Sequence, residues 1–253
     1  MGQEGDGWSQ VSRKRGRKPA QRSTRDDELP GLGPNPNPGL SLAAIQKYHE
    51  RVSQDWLESD SWEALQATLR DAFPACNRPS ITKAICLGPG PFDPANDSVS
   101  IRRTAHVQTE AFRSIVANLE YQSGHKIKCI VQEPSFTNVD KMFCNELGME
   151  VVESPAAFSM VDADTLVYGI HMELRTYAEA LTTLPAIFVG AGLSEWEALM
   201  DVDPSGLESM RKMDAAYKNY RFPDLNYMFH GTTMYWREGV PSSDTKEPEG
   251  LAK

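Results

Sequence analysis

From residue 79 to residue 190, short apolar runs alternate with segments whose apolar side chains recur every three or four positions. Ile81–Leu87, Lys128–Gln132, Glu150–Glu153, Thr165–Ile170 and Ala186–Val189 are too short for buried helices and read as strands. Between them, Ser98–Tyr121 reads as a helix with Ile101, Ala105, Phe112, Ile115 and Leu119 on one face. Asn138–Leu147 is a second helix, closed by Gly148, since glycine tolerates the left-handed conformation that ends helices. Leu174–Leu181 is a third, and a fourth starts at Ser194. Apolar strands with helices between them predict an α/β, Rossmann-like, doubly wound and mainly parallel sheet with right-handed crossovers.

The flanks differ. Residues 1–40 are polar, basic and then rich in proline and glycine, so they read as a disordered arm and linker. Residues 41–77 read as a helical extension. Ser41 caps its start, and Leu42, Ile45, Val52 and Trp56 recur at helical spacing. A break at Ser59-Asp60-Ser61 precedes Trp62, Leu65, Leu69 and Phe73, and Pro74 ends the segment. The α/β domain is expected over residues 78–240, with Met213–Tyr220 helical and Tyr227–Arg237 adding a last strand. Residues 241–253 read as a disordered tail.

Charge sharpens this division. The 253-residue chain carries −9, yet residues 1–25 hold seven basic side chains against Glu4 and Asp6. The arm is therefore +5 and the remainder −14. An acidic body is a poor general surface for nucleic acid. The arm over residues 12–25 is a candidate nuclear-import signal or weak electrostatic contact to nucleic acid. No apolar run reaches the ~18 residues of a membrane span, and no apolar signal core opens the chain. Cys76, Cys86, Cys129 and Cys144 form no Cys-x-x-Cys pair, which points to reduced thiols rather than a metal site.

In an open parallel sheet, ligands bind beyond the carboxyl ends of the strands. Gly88-Pro89-Gly90-Pro91-Phe92 follows the first strand, Glu133 the second, His171 the fourth and Gly190 the fifth. Gly88, Gly90, Phe92, Glu133, His171 and Gly190 are therefore the candidate ligand-binding residues. Glycine lets a ligand approach the backbone, and an acidic residue ending the second strand suits a ribose hydroxyl. Together they point to a nucleotide or S-adenosylmethionine. The competing reading is a turn that lets strand and helix pack closely. Pro89 and Pro91 lack the amides that would cradle phosphate, and the helix starts only at Ser98. His171-x-Glu173 lacks the Pro-Cys-x-x-Cys half of a zinc deaminase, and no Gly-x-Ser-x-Gly elbow, Walker A lysine or His-Glu-x-x-His helix is present. Haem ligation by His171, His230 or a cysteine has no Cys-Pro or Cys-x-x-Cys-His element behind it.

The blocks Ile85-Cys86-Leu87-Gly88-Pro89-Gly90-Pro91-Phe92, Gln132-Glu133-Pro134-Ser135-Phe136, Asp164 to His171 and Leu184 to Gly190, with Gln108, Asp140 and Leu147-Gly148, resemble the sensitivity-to-red-light-reduced (SRR-like) domain. The likeness spans residues 80–195, and the divergent blocks with Tyr235-Trp236 resemble filamentous-fungal members. Glu133 stands where the family usually has aspartate, and Met172 where it often has cysteine. The resemblance implies a regulatory protein of the cytoplasm and nucleus, tied to circadian and light signalling, haem synthesis or microtubules, with protein partners. It implies ligand sensing without a defined reaction. The alternatives are an S-adenosylmethionine- or nucleotide-dependent enzyme and a nuclear protein–protein adaptor.

Overall fold

A computed structural model of the chain describes residues 33–72, 80–198 and 204–238. The basic arm, Phe73, Pro74, Cys76 and the tail after residue 238 lie outside the described residues.

Two helices come first, α1 (Leu42–Leu57) and α2 (Asp60–Ala72). The Ser41 hydroxyl accepts from the Ala44 amide at 3.2 Å, as the sequence predicts for a cap. The sheet follows as β1 (Lys83–Leu87), β2 (Lys128–Gln132), β3 (Met149–Val151), β4 (Thr165–Tyr168), β5 (Ile187–Ala191), β6 (Lys218–Arg221) and β7 (Thr232–Trp236). Its helices are α3 (Val99–Ser123), α4 (Asn138–Glu146), α5 (Leu174–Ala180), α6 (Leu193–Glu197) and α7 (Glu208–Ala216). Strand order is β3-β2-β1-β4-β5-β7-β6. β1 to β5 are parallel, while β7 runs antiparallel to both β5 and β6. The doubly wound, Rossmann-like sheet expected from the sequence is present, with a reversed hairpin at one edge.

Alternation along the strands explains why both faces are covered. Ala84 and Cys86 of β1, with Leu166 and Tyr168 of β4, join a core shared with α1 to α4. Ile85 and Leu87, with Val167 and Phe188, join a second core under α5 and α7. A period of two thus sends neighbours to opposite layers. Each fully buried apolar side chain of this size contributes ~1.5–3 kcal/mol. Gly148 closes α4 at φ +78°, as expected. Cys86 and Cys144 are buried free thiols and Cys129 is a partly buried one.

Two expectations need correction. Met213–Tyr220 is not one helix: α7 stops at Ala216, and Lys218–Arg221 pairs with β7. β6 is a polar edge strand, so it carries no apolar run to announce it. Ile101 does not join the buried face of α3. It is 41% exposed, because burial on that helix begins only at Ala105.

The α1–α3 seam holds a buried polar chain. His49 Nδ1 lies 3.1 Å from His106 Nδ1, His49 Nε2 lies 3.2 Å from Glu110 Oε2, and Arg113 donates to Glu110 at 2.8 Å. One imidazole must present a bare Nδ1 to the other's N–H. Burial, then the neighbouring His49 and Arg102, push His106 down to about 3. Burial alone would raise Glu110, but His49 and Arg113 leave it below its ordinary value. Among the described residues, no helix is long and apolar enough to cross a membrane.

Candidate functional site at the carboxyl edge of the sheet

Strand order reverses between β1 and β4, which lie side by side while β2 and β5 extend in opposite directions. A crevice beyond the carboxyl ends is expected there. A cavity of about 350 Å³ opens at this point, lined among others by Gly88, Gln132, Glu133, His171, Met172 and Glu173.

The β1 turn is built on left-handed glycines, Gly88 at φ +60° and Gly90 at φ +86°. Both angles are costly for a residue with a Cβ, which is why glycine stands there. The Gly88 amide donates to the Gln132 carbonyl at 2.9 Å, extending the β1–β2 ladder by one rung. Glu133 then closes the corner. Its Oε2 accepts from the Gly90 amide at 3.0 Å and its Oε1 from the Ser135 amide at 2.8 Å. A carboxylate has about four acceptor positions, so two remain open toward a ligand. Gln132 is fixed as well, its Oε1 accepting from the Ala157 amide at 2.8 Å.

His171 sits at φ +54° at the end of β4, a conformation histidine reaches more readily than most residues. Its Nε2 lies 2.9 Å from the His230 carbonyl, which requires that nitrogen to carry a hydrogen and turns Nδ1 away from this bond. Tyr177 of α5 holds this wall. Its hydroxyl donates to the Gly169 carbonyl at 2.7 Å and accepts from the Ala191 amide at 3.1 Å and the Met172 amide at 3.3 Å. Burial pushes the Tyr177 phenol up to about 12, so it stays protonated.

The cavity thus brings together Gly88, Glu133 and His171, with Gly90 joined to it through Glu133. Phe92 and Gly190 are placed elsewhere. Phe92 is fully buried, 4.8 Å from the rings of both His106 and Phe143 and stacked on Phe136 at 5.5 Å. It anchors the turn to the core rather than facing the crevice. Gly190 lies inside β5, where a Cβ would come within 2.5 Å of Phe188 Cζ and 2.8 Å of the Gly169 carbonyl. It is a packing glycine.

Several residues were not singled out by sequence. Met172 lies over the turn, its Sδ 2.4 Å from where a Gly88 Cβ would stand and its Cγ 3.2 Å from the same point at Gly169. A second cavity of about 290 Å³ lies on its far side, lined by His171, Met172, Ala191, Glu195, Trp196, His230 and Gly231. Among the described residues, the side chains lining the two cavities include Glu133, Glu173 and Glu195 but neither lysine nor arginine. Spacing along the chain gives no sign of Tyr177, because its role depends on a helix folding back over two strand ends. In the sequence Met172 stands out only as a departure from the family's usual cysteine, with no role attached to it.

These features define a doubly wound α/β protein with a preformed acidic crevice at its topological switch. The chain belongs to the SRR1 domain family, whose profile matches residues 54–236. No protein with a curated description matches it in sequence. Among solved structures, a Corynebacterium glutamicum protein is similar at 15% identity and a TM-score of 0.39, over 78% of this chain and 90% of that one. Thermoplasma acidophilum 1320 is similar at 9% identity and a TM-score of 0.33, over 68% and 80%. A point mutant of MtNAS in complex with S-adenosylmethionine is similar at 12% identity and a TM-score of 0.32, over 77% and 76%. Likenesses at this level carry nothing about a ligand of this chain.

Proposed function

We propose that this protein is a regulatory, ligand-sensing member of the SRR1 family. Its β1–β4 crevice takes a neutral or cationic, nucleoside-like small molecule. The carrying observation is the lining: Glu133 and Glu173 line the cavity with neither lysine nor arginine among the described residues around them. Desolvating a phosphate beside these carboxylates is unfavourable, whereas hydroxyls can donate to the open acceptor positions of Glu133. The turn's prolines argue the same way, since two amides are missing where a phosphate would need them. The polar groups are also committed. Glu133 is held by two amides and His171 by a carbonyl, which suits a fixed recognition surface better than proton shuttling. Signalling roles in the cytoplasm and nucleus, protein partners and a basic arm acting in nuclear import belong to the same proposal.

Calorimetry with adenosine and adenosine 5′-monophosphate tests the ligand class, because the two differ only by the phosphate. Adenosine is expected to bind at least about tenfold more tightly. Glu133→Gln is expected to weaken adenosine binding by about tenfold or more, since one amide acceptor is lost. Equal or tighter binding of the phosphorylated probe, or no heat from adenosine at millimolar concentration, would contradict the reading.

A second reading, an enzyme using S-adenosylmethionine, rests on the same corner. A sulfonium fits an acidic lining, and Glu133 directly follows β2 beside the glycine turn. Methyl transfer from labelled S-adenosylmethionine to any acceptor by the purified protein would establish it in place of the first.

A further inference from the structure

The cavity under Glu133 and the cavity under Trp196 share two lining residues, His171 and Met172. His171 is pinned by its bond to the His230 carbonyl. The amide of Met172 donates to the Tyr177 hydroxyl at 3.3 Å, while its side chain makes no hydrogen bond among the described residues and is half-buried against the core under α5 and α7. Its thioether lies against Gly88 and Gly169, the two places where the absence of a side chain leaves room for it. Methionine has three freely rotating bonds and a soft sulfur, so it fills such a gap and leaves it at small cost.

A residue in the wall of the far cavity carries a buried donor. Trp196 Nε1 is buried and has no hydrogen-bond partner among the described residues. The Trp196 ring packs edge-on against Tyr177 at 6.0 Å and forms part of the cavity wall. A buried N–H without a partner costs ~1–3 kcal/mol, and a ligand acceptor that met it, once the wall shifted to expose it, would recover that cost. Beside it stand Ala191, His230 and Glu195, whose carboxylate lies against Gly231.

We infer that Met172 is a retractable divider between the two cavities, and that the bound molecule is bipartite. Its hydroxyl-bearing part sits at Glu133, and a flat part carrying a hydrogen-bond acceptor passes the displaced thioether to meet Trp196. This rests on the ligand-binding reading above. It makes Met172 a specificity-determining residue: with the thioether over Gly88 only a short ligand fits, and with it withdrawn a longer one does. Glu195 at the far end disfavours an anionic terminus there too, so the flat part is neutral or cationic.

The test uses the full chain labelled with [methyl-¹³C]methionine and ¹⁵N, titrated with adenosine and followed by NMR. The Met172 methyl signal is assigned from its loss in Met172→Leu. Adenosine is expected to move the Gly90 and Ser135 amides, the Met172 methyl and the Trp196 indole N–H together. Met172→Ala removes the divider and is expected to raise adenosine affinity by about tenfold, because the competent state no longer has to be selected. Met172→Leu keeps an apolar wall and is expected to bind no better than the native chain. If Met172→Ala does not fold, the native titration decides alone. Shifts at Gly90 and Ser135 with the Met172 methyl and Trp196 N–H unmoved overturn the divider while leaving the crevice reading intact. So does unchanged affinity in a folded Met172→Ala. No shift at any of the four sites overturns the crevice reading and the divider with it.

Discussion

Gly88 and Gly190 both stand at the carboxyl end of the same sheet, and a reader of the sequence would give them the same role. The space beside them is filled by different things. Beside Gly88 stands the end of a flexible methionine side chain; beside Gly190 stand an aromatic ring, a backbone carbonyl and the Tyr177 hydroxyl, the last 3.0 Å from a Cβ added there. The first can yield to a ligand, while the second is locked by a hydroxyl that already makes three hydrogen bonds. A glycine at a strand end is therefore a candidate binding element only where its neighbour can move.

Gly190→Ala is the sharpest way to break this comparison. The added methyl meets the Gly169 carbonyl, which cannot retreat without disturbing β4. A loss of about 3 kcal/mol of unfolding free energy, read from urea denaturation, is expected, at the upper end of overpacking costs. Tyr177→Phe should come next, at about 2 kcal/mol, since it leaves the Gly169 carbonyl and the Ala191 amide without the phenol. A loss below 0.5 kcal/mol on that ~1–3 kcal/mol scale would show that the locked side of the crevice is not locked.

Acid should act on the other side. Phe92 ties the Gly88 turn to His106, which stays neutral in the fold down to about 3 but in the unfolded chain takes up a proton near its ordinary value of 6.5. The unfolded state then binds more protons, so stability is intact above pH 6.5 and declines as pH falls through that window. The slope is at most about 1.4 kcal/mol per pH unit for one group. Glu110, whose folded value is depressed, adds to the loss at lower pH in the same direction, while His49, Arg102 and Arg113 set the field around the pair. His106→Gln should flatten the profile. Hydrogen exchange during acidification should rise first at the Gly90 amide and later at that of Gly190.

Gly88→Ala has the smallest expected effect on folding. The left-handed backbone costs ~1–2 kcal/mol and the thioether gives way. Adenosine binding, in contrast, should fall by at least about tenfold. A variant that loses stability but keeps its affinity would place the ligand away from the turn.

The sequence carried the layer structure because apolar runs and helical repeats are local signals. Ser41, Ser98 and Gly148 were readable for the same reason: a cap or a left-handed residue acts on its own neighbours. The Ser98 hydroxyl accepts from the Ile101 amide at 3.3 Å, just where α3 begins. β6 was not legible, as Lys218–Arg221 is polar and gains its form only by pairing with β7. At the crevice, Gly88, Glu133 and His171 could be gathered because strand ends share one edge. Phe92 and Gly190 lie at that edge in sequence yet point into packed space, and the chain alone does not tell a side chain's direction after a turn. The roles of Met172, Tyr177 and Trp196 needed the fold.

The contrast between the two glycines is tested most directly by an amide-resolved titration of the native chain with adenosine. The expected result is a saturable shift of the Gly88, Gly90 and Ser135 amides, with the Gly190 amide unmoved. A shift confined to Gly190 and its neighbours, with the Gly88 turn unmoved, would contradict it.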